Sequence, residues 1–191
     1  MRYVVFDIET ANTFPGLARS IDRLEISIVG VYDSQNDAYT SYVKEEFAHL
    51  WPIIEKADML IGFNSDQFDI PLLNRYYPGD LTSIRSLDLL AEVYRSLGRR
   101  VRLGSLAEAT LGRGKSGDGL KAVEWWNAGL VDKVREYCLD DVRITKELYD
   151  YAHAHGTLKY KDFKNFREIK IDTSAWDKIV RAPTLTHALP L

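Results

Sequence analysis

The sequence has one cysteine, Cys138, in 191 residues. An intrachain disulfide is therefore excluded. A reducing compartment suits such a chain, and a cytoplasmic location is expected. No apolar run reaches the roughly 18 residues that a membrane span needs. The N-terminus has one arginine and then a strand-like run interrupted by acids, which is not the pattern of a signal peptide. Positive charge is not in excess either: 25 Lys and Arg against 28 Asp and Glu give a net charge of -3. A protein that coats nucleic acid without regard to sequence is usually basic, so that class is disfavoured. An enzyme whose acids hold metal ions is not excluded, because the ions supply the local positive charge. The histidines and the lone cysteine offer no zinc pattern; His153 and His155 form an H-x-H pair that faces apart on a helix. The segment GRGKSG (residues 112–117) lacks the spacing of a phosphate-binding loop, which argues against an ATPase.

What is present is ample apolar material, 46% of residues, and 28% charged residues, which is near the usual share for one globular domain. Residues 2–8 read as a strand that is nearly continuous in apolar side chains, as a central strand covered on both faces would be. Leu24–Asp33 and Ala38–Val43 read as two further strands, separated by short turns in an antiparallel meander. Pro52 marks the start of a short helix through Lys56. Asp58–Asn64 reads as a fourth strand, and FDIPLLNRYY as a helix with Pro71 in its first turn. Ser86–Gly98 and SLAEATLG read as helices stopped by glycines. The clearest helix begins near Val131 with Asp132 as its cap and ends at Gly156. The order implies an α/β domain with a mixed sheet of about five strands flanked by helices. It spans residues 1–156, with a C-terminal extension, 157–191, packed on the same domain.

Three groups of acids carry the functional question. In a strand the side chains alternate, so Asp7 and Glu9 share a face. Burying two like charges unpaired is costly; at a strand end they could also simply reach solvent. Asp69, in GFNSDQFDIP, follows a strand and a loop, and it could equally cap the next helix. Tyr137 and Asp141 are four apart on the long helix and share a face. The same spacing recurs in Tyr3 with Asp7 and Tyr76 with Asp80, and a core tyrosine beside an exposed acid would give it too. Asp140 falls on another face and reads as solvated. Together, four carboxylates from three segments can converge at the carboxyl end of a sheet. Hard oxygen ligands of this kind suit Mg²⁺ or Mn²⁺. Two such ions about 3.5–4 Å apart can clamp a phosphoryl centre and activate water.

The motifs FDIET, GFNSDQFDIPLLNRYY and YCLDDVRITKEL, in this order, resemble the DEDD superfamily of 3′→5′ exonucleases with the RNase H-like fold. The second is similar to the proofreading exonuclease domain of family B DNA polymerases, as is SLAEATLGRGKSG. The resemblance covers about residues 2–152. The histidine branch of that superfamily would carry His at position 136, where this chain has Glu136, so Tyr137 assigns the tyrosine branch. The resemblance implies a two-metal mechanism in which Asp7, Glu9 and Asp141 hold the ion that activates water. Asp7 bridges to a second ion, with Asp69 acting on that site partly through water. Tyr137 orients the attacking water; tyrosine's reference pKa of about 10 makes it a poor general base at neutral pH. Thr10 and Asn64 match positions lining the family's substrate site, and Phe14 and Phe68 could stack on the terminal nucleotide.

The chain is too short to hold a polymerase domain, so a stand-alone exonuclease-like domain acting on single-stranded DNA or RNA 3′ ends is expected. An RNase acting on structured RNA, and an idle domain that binds nucleic acid or a partner protein, are the alternatives. Lys115, Arg113 and Lys121 flank the glycine-rich loop. Arg99, Arg100 and Arg102 form a basic run, and either set could touch phosphates or be a solvated surface. The tail residues 159–170 interleave bases and aromatics, as a nucleic-acid strip or a packed edge strand would.

Overall fold

The computed structural model describes residues 1–14, 20–114, 119–162 and 165–178. The strands β1 (Tyr3–Thr10), β2 (Ile26–Asp33) and β3 (Ala38–Tyr42) form the expected antiparallel meander. On the other side of β1, β4 (Met59–Gly62) and β5 (Ser86–Asp88) add in parallel, giving the order β3-β2-β1-β4-β5. This is the α/β architecture with a mixed five-stranded sheet of an RNase H-like fold.

The near-continuous apolar run of β1 follows from its central place. Val4, Phe6 and Ile8 enter one core, shared with α1 (Phe47–Glu55) and α2 (Asp69–Asn74). Val5 enters the other, with α3 (Leu89–Leu97), α4 (Leu103–Leu111) and α6 (Val131–His155). A third cluster, Ile28, Ala122, Val134, Tyr137 and Cys138, joins α5 (Gly119–Asn127) to α6 and β2. Beyond Gly156, whose φ of +65° ends α6 in the left-handed turn expected of a glycine stop, a hairpin forms from β6 (Thr157–Asp162) and β7 (Asn165–Lys170). Its Leu158, Tyr160 and Ile169 are buried in the same core as α4 and α6, so this side of the hairpin is a packed element; Phe163 lies outside the described residues. Phe166 is 61% exposed.

Several expectations need correction. Ser86–Gly98 is not one helix. Its first three residues pair with β4 as β5, and Asp88 then caps α3 by accepting the N–H groups of Leu90 and Ala91. The helix read from Pro52 starts earlier, at Phe47, with Pro52 inside it. A turn at Lys44–Glu46 prepares that start, where the Glu46 carboxylate accepts the Val43 N–H at 2.9 Å. The long helix begins at Val131 after Leu130, which makes no side-chain cap, so Asp132 lies in the first turn instead. There its charge favours the positive end of the helix dipole. Asp140 is not simply solvated: Arg113 lies 3.8 Å from it and 3.2 Å from Glu147.

Candidate active site

Strands β1, β4 and β5 run parallel, so their carboxyl ends share one edge of the sheet. Crevices outside such ends are the usual ligand sites of open α/β sheets. β1 reaches this edge with FDIET. Its even positions go to one core, so Asp7 and Glu9 project toward the face that α6 covers. The register with β2 shifts between Glu9 and Thr10, a bulge that re-aims the chain where the acids stand.

Helix α6 must come very close for Asp141 to join them, and Gly30 allows it. In the β1–β2 ladder Gly30 lies opposite Asp7. A Cβ at Gly30 would sit 2.9 Å from the Cys138 sulfur and 3.1 Å from a Val142 methyl. Cys138 in turn approaches the Asp7 carbonyl oxygen at 3.4 Å and its carboxylate at 3.9 Å. One turn on, Asp141 brings a carboxylate oxygen into a set with Asp7 and Glu9 in which all three ligand atoms lie within 4.8 Å of one another. Glu9 and Asp141 are buried, at 7% and 2% exposure. Three converging hard oxygen donors fit one divalent cation, the ligand type that Mg²⁺ and Mn²⁺ prefer. The burial of Glu9 and Asp141 adds to the fit, because carboxylates crowded away from water favour a nearby positive charge.

Tyr137 lies on the same face of α6, buried, with Trp125 of α5 edge-on at 5.9 Å. The acids also act on Cys138. Burial, then the charges of Asp7, Glu9 and Asp141, push its thiol well above the ordinary range.

Asp69 is placed by a different device. β4 pairs with β1 only as far as Val5, which leaves the later edge of β1 without a strand partner there. Asp69 opens α2 at that edge, and its carboxylate accepts the Ile8 N–H and its own. It stands outside the 4.8 Å trio. Burial, followed by the nearby charge of Asp88, pushes its pKa up to about 7. Asp88 was not singled out from the sequence, although an Asp directly before an amphipathic run is a cap signal. Besides capping α3 it accepts the Asn64 N–H at 2.7 Å and the Asp66 N–H at 3.3 Å, so it ties the loop after β4 to β5.

That loop holds Asn64 in the left-handed region, φ +67°, which asparagine tolerates better than most residues. Arg100 donates to Asn64 Oδ1, and at 3.2 Å to Gln67 Oε1. A depression of about 420 Å³ beside the trio is lined by Thr10, Phe14, Phe68 and Leu24. Asn64 instead lines a larger one, about 1040 Å³, which also reaches Asp7 and Asp141. Lys115 lies outside the described residues. Of the basic run, Arg99 is drawn to the hairpin, 3.7 Å from Asp162 and over the Tyr160 ring.

A family model described as RNase_H superfamily matches residues 4–153. Among solved structures, the fold is similar to that of the family B DNA polymerase from the hyperthermophilic archaeon Pyrobaculum calidifontis. The TM-score is 0.59, with 19% identity over 79% of this chain and 24% of the polymerase chain. This chain thus spans about a quarter of that polymerase's length. No curated protein matches the chain. With the match running from the second residue of β1 almost to the end of α6, and with the mixed sheet that its order of strands describes, the chain belongs to the RNase H superfamily and has its nuclease fold.

Proposed function

We propose that this chain is a metal-dependent 3′→5′ exonuclease that hydrolyses phosphodiester bonds at single-stranded nucleic-acid 3′ ends. The observation that carries the reading is the meeting of Asp7, Glu9 and Asp141 within 4.8 Å at the carboxyl edge of the sheet. The similarity to a family B polymerase fold and the order of the three acid motifs support it.

Nucleases of this fold generally use divalent metals. Asp7, Glu9 and Asp141 would hold one ion, and Asp7 with Asp69 a second. When bound, Mg²⁺ or Mn²⁺ supplies an activated water and neutralises charge building on the phosphate. The chain's own groups do the rest. Tyr137, one turn before Asp141, orients the attacking water from a fixed, buried position. Asp69 keeps its place through the Ile8 N–H. Thr10, Phe14 and Phe68 form a recess of about 420 Å³ beside the acids, suited to the terminal nucleotide.

The test is degradation of 5′-labelled single-stranded DNA and RNA of one sequence in Mg²⁺, Mn²⁺ or EDTA. The expected result is a ladder shortening from the 3′ end, absent in EDTA and reduced at least about 10³-fold in Asp7→Ala. That loss corresponds to roughly 4 kcal/mol of transition-state stabilisation. Internal cleavage, or equal activity in Asp7→Ala, would overturn the reading.

A further inference from the structure

A 3′ exonuclease leaves one nucleotide on one side of the scissile bond and the whole remaining strand on the other. The recess by Phe14 and Phe68 is small, so the strand needs a second way out from Asp7 and Asp141. The depression of about 1040 Å³ offers one, from these two acids past Asn64 to Arg100 and Arg102. A second one, about 680 Å³, shares Asn64, Leu90 and Arg100 with it and continues to Tyr94 and Arg95. The two adjoin along the three shared residues, and together they lead from the acids to Tyr94 and Arg95 of α3, a groove with Arg100 on its wall.

The chemistry of this groove is unlike the rest of an acidic protein. Its other acids are committed: Asp88 caps α3, and Glu108 pairs with Lys161 at 2.7 Å. Arg100 and Arg102 are exposed on its wall, and Arg95 follows at its far end, paired at the surface with Glu92. Tyr94 is 54% exposed and lines the far part of this groove, which leaves its ring open to a stacking partner. Cations that track phosphates, together with an open aromatic face, are what single strands bind without regard to sequence.

We propose that this groove is the track for the strand 5′ of the scissile bond, with Tyr94 stacking on a base and Arg100 and Arg102 meeting backbone phosphates. The proposal rests on the exonuclease reading for its direction. It extends that reading from the terminal nucleotide to a substrate class, single strands several nucleotides long.

Binding in EDTA, where no cleavage occurs, tests the track separately from catalysis. Fluorescence anisotropy would follow 5′-fluorescein oligothymidylates of two and eight nucleotides at low salt. The wild type is expected to bind the octamer at least about tenfold tighter than the dinucleotide, and Tyr94→Ala to lose about tenfold on the octamer. Arg102→Ala is expected to flatten the salt dependence of octamer binding by about 0.7 in log–log slope, one phosphate contact. Phe166→Ala, an exposed aromatic outside the lining of the groove, serves as a control and keeps the length dependence. No gain from two to eight nucleotides, or a full gain in Tyr94→Ala, overturns the track. Octamer degradation in Mn²⁺, run alongside, reports on the other reading. Cleavage with an unchanged Tyr94→Ala isotherm removes only the track, and a length dependence lost in Tyr94→Ala without any cleavage removes only the exonuclease.

Discussion

At the residue scale, the site is a set of carboxylates held where carboxylates are costly, and their titration should expose this. Asp69 has its pKa raised from 3.8 to about 7 by burial and then by Asp88. Between those values the folded chain keeps a proton that the unfolded chain has lost. Without metal, stability contributed by this group is therefore present below about pH 4 and lost as pH rises through 7. Asp69→Asn keeps an acceptor for the Ile8 N–H and removes the charge. In EDTA it should be more stable than the wild type at pH 8, the difference vanishing near pH 4. At about 1.4 kcal/mol for each pH unit, the limit is roughly 4 kcal/mol. Urea unfolding at pH 4, 6 and 8 checks this, and a pH-independent difference would contradict it. Cys138 supplies a second readout. Its thiol is buried and raised by burial and by three neighbouring acids, so a thiol-specific reagent at pH 8 should leave it unmodified until the chain unfolds. Fast stoichiometric labelling of the native protein would contradict the packing described.

At the element scale, the meeting of strand and helix depends on Gly30. Gly30→Ala places a methyl 2.9 Å from the Cys138 sulfur, and α6 must shift by a few tenths of an ångström or turn that side chain. Overpacking of this kind costs roughly 1–3 kcal/mol. Asp141 and Tyr137 ride on the same helix, so nuclease activity should fall further than stability alone explains. Cys138→Ala in the Gly30→Ala background should restore part of both, which a double-mutant cycle would measure as coupling. Additive effects would show that the two residues do not meet as described. This close approach was not legible in the sequence. A glycine inside LEISIVGVYD announces a gap in the strand's side chains, but not what fills it. The elements themselves were largely legible. β1 betrayed its central place by a run of apolar residues that only two covering layers explain, and α6 by its period and its glycine stop. β5 was missed because three residues are too few for a period, and its strand state comes from the edge that β4 presents. The start of α1 was missed because Pro52 looked like a first-turn residue, whereas the turn at Lys44–Glu46 sets it.

At the scale of the whole molecule, the chain joins a net charge of -3 to the polyanionic substrate proposed for it, and the distribution of its charges reconciles the two. Asp7, Glu9 and Asp141 gather at the carboxyl edge of the sheet, where cations can offset their charge, and Arg100 and Arg102 line the depression beside them. Metal should accordingly act on the fold as well as on catalysis. Mn²⁺ that binds the folded chain alone raises its stability by mass action. Motif order pointed to Asp7, Glu9 and Asp141 together, and the fold brings these three within 4.8 Å, Asp69 standing apart from them. The groove was not legible in the sequence, since Tyr94 and Arg100 come from separate turns of the chain and only the packing of α3 beside the loop after β4 aligns them. The central claim is that Asp7, Glu9 and Asp141 hold a divalent ion, and a Mn²⁺ binding isotherm by electron paramagnetic resonance tests it most directly. Saturable binding to the wild type, weakened at least about tenfold in both Asp7→Asn and Asp141→Asn, is the predicted result. Equal binding by the wild type and both variants, or none by any of them up to about millimolar Mn²⁺, would contradict it.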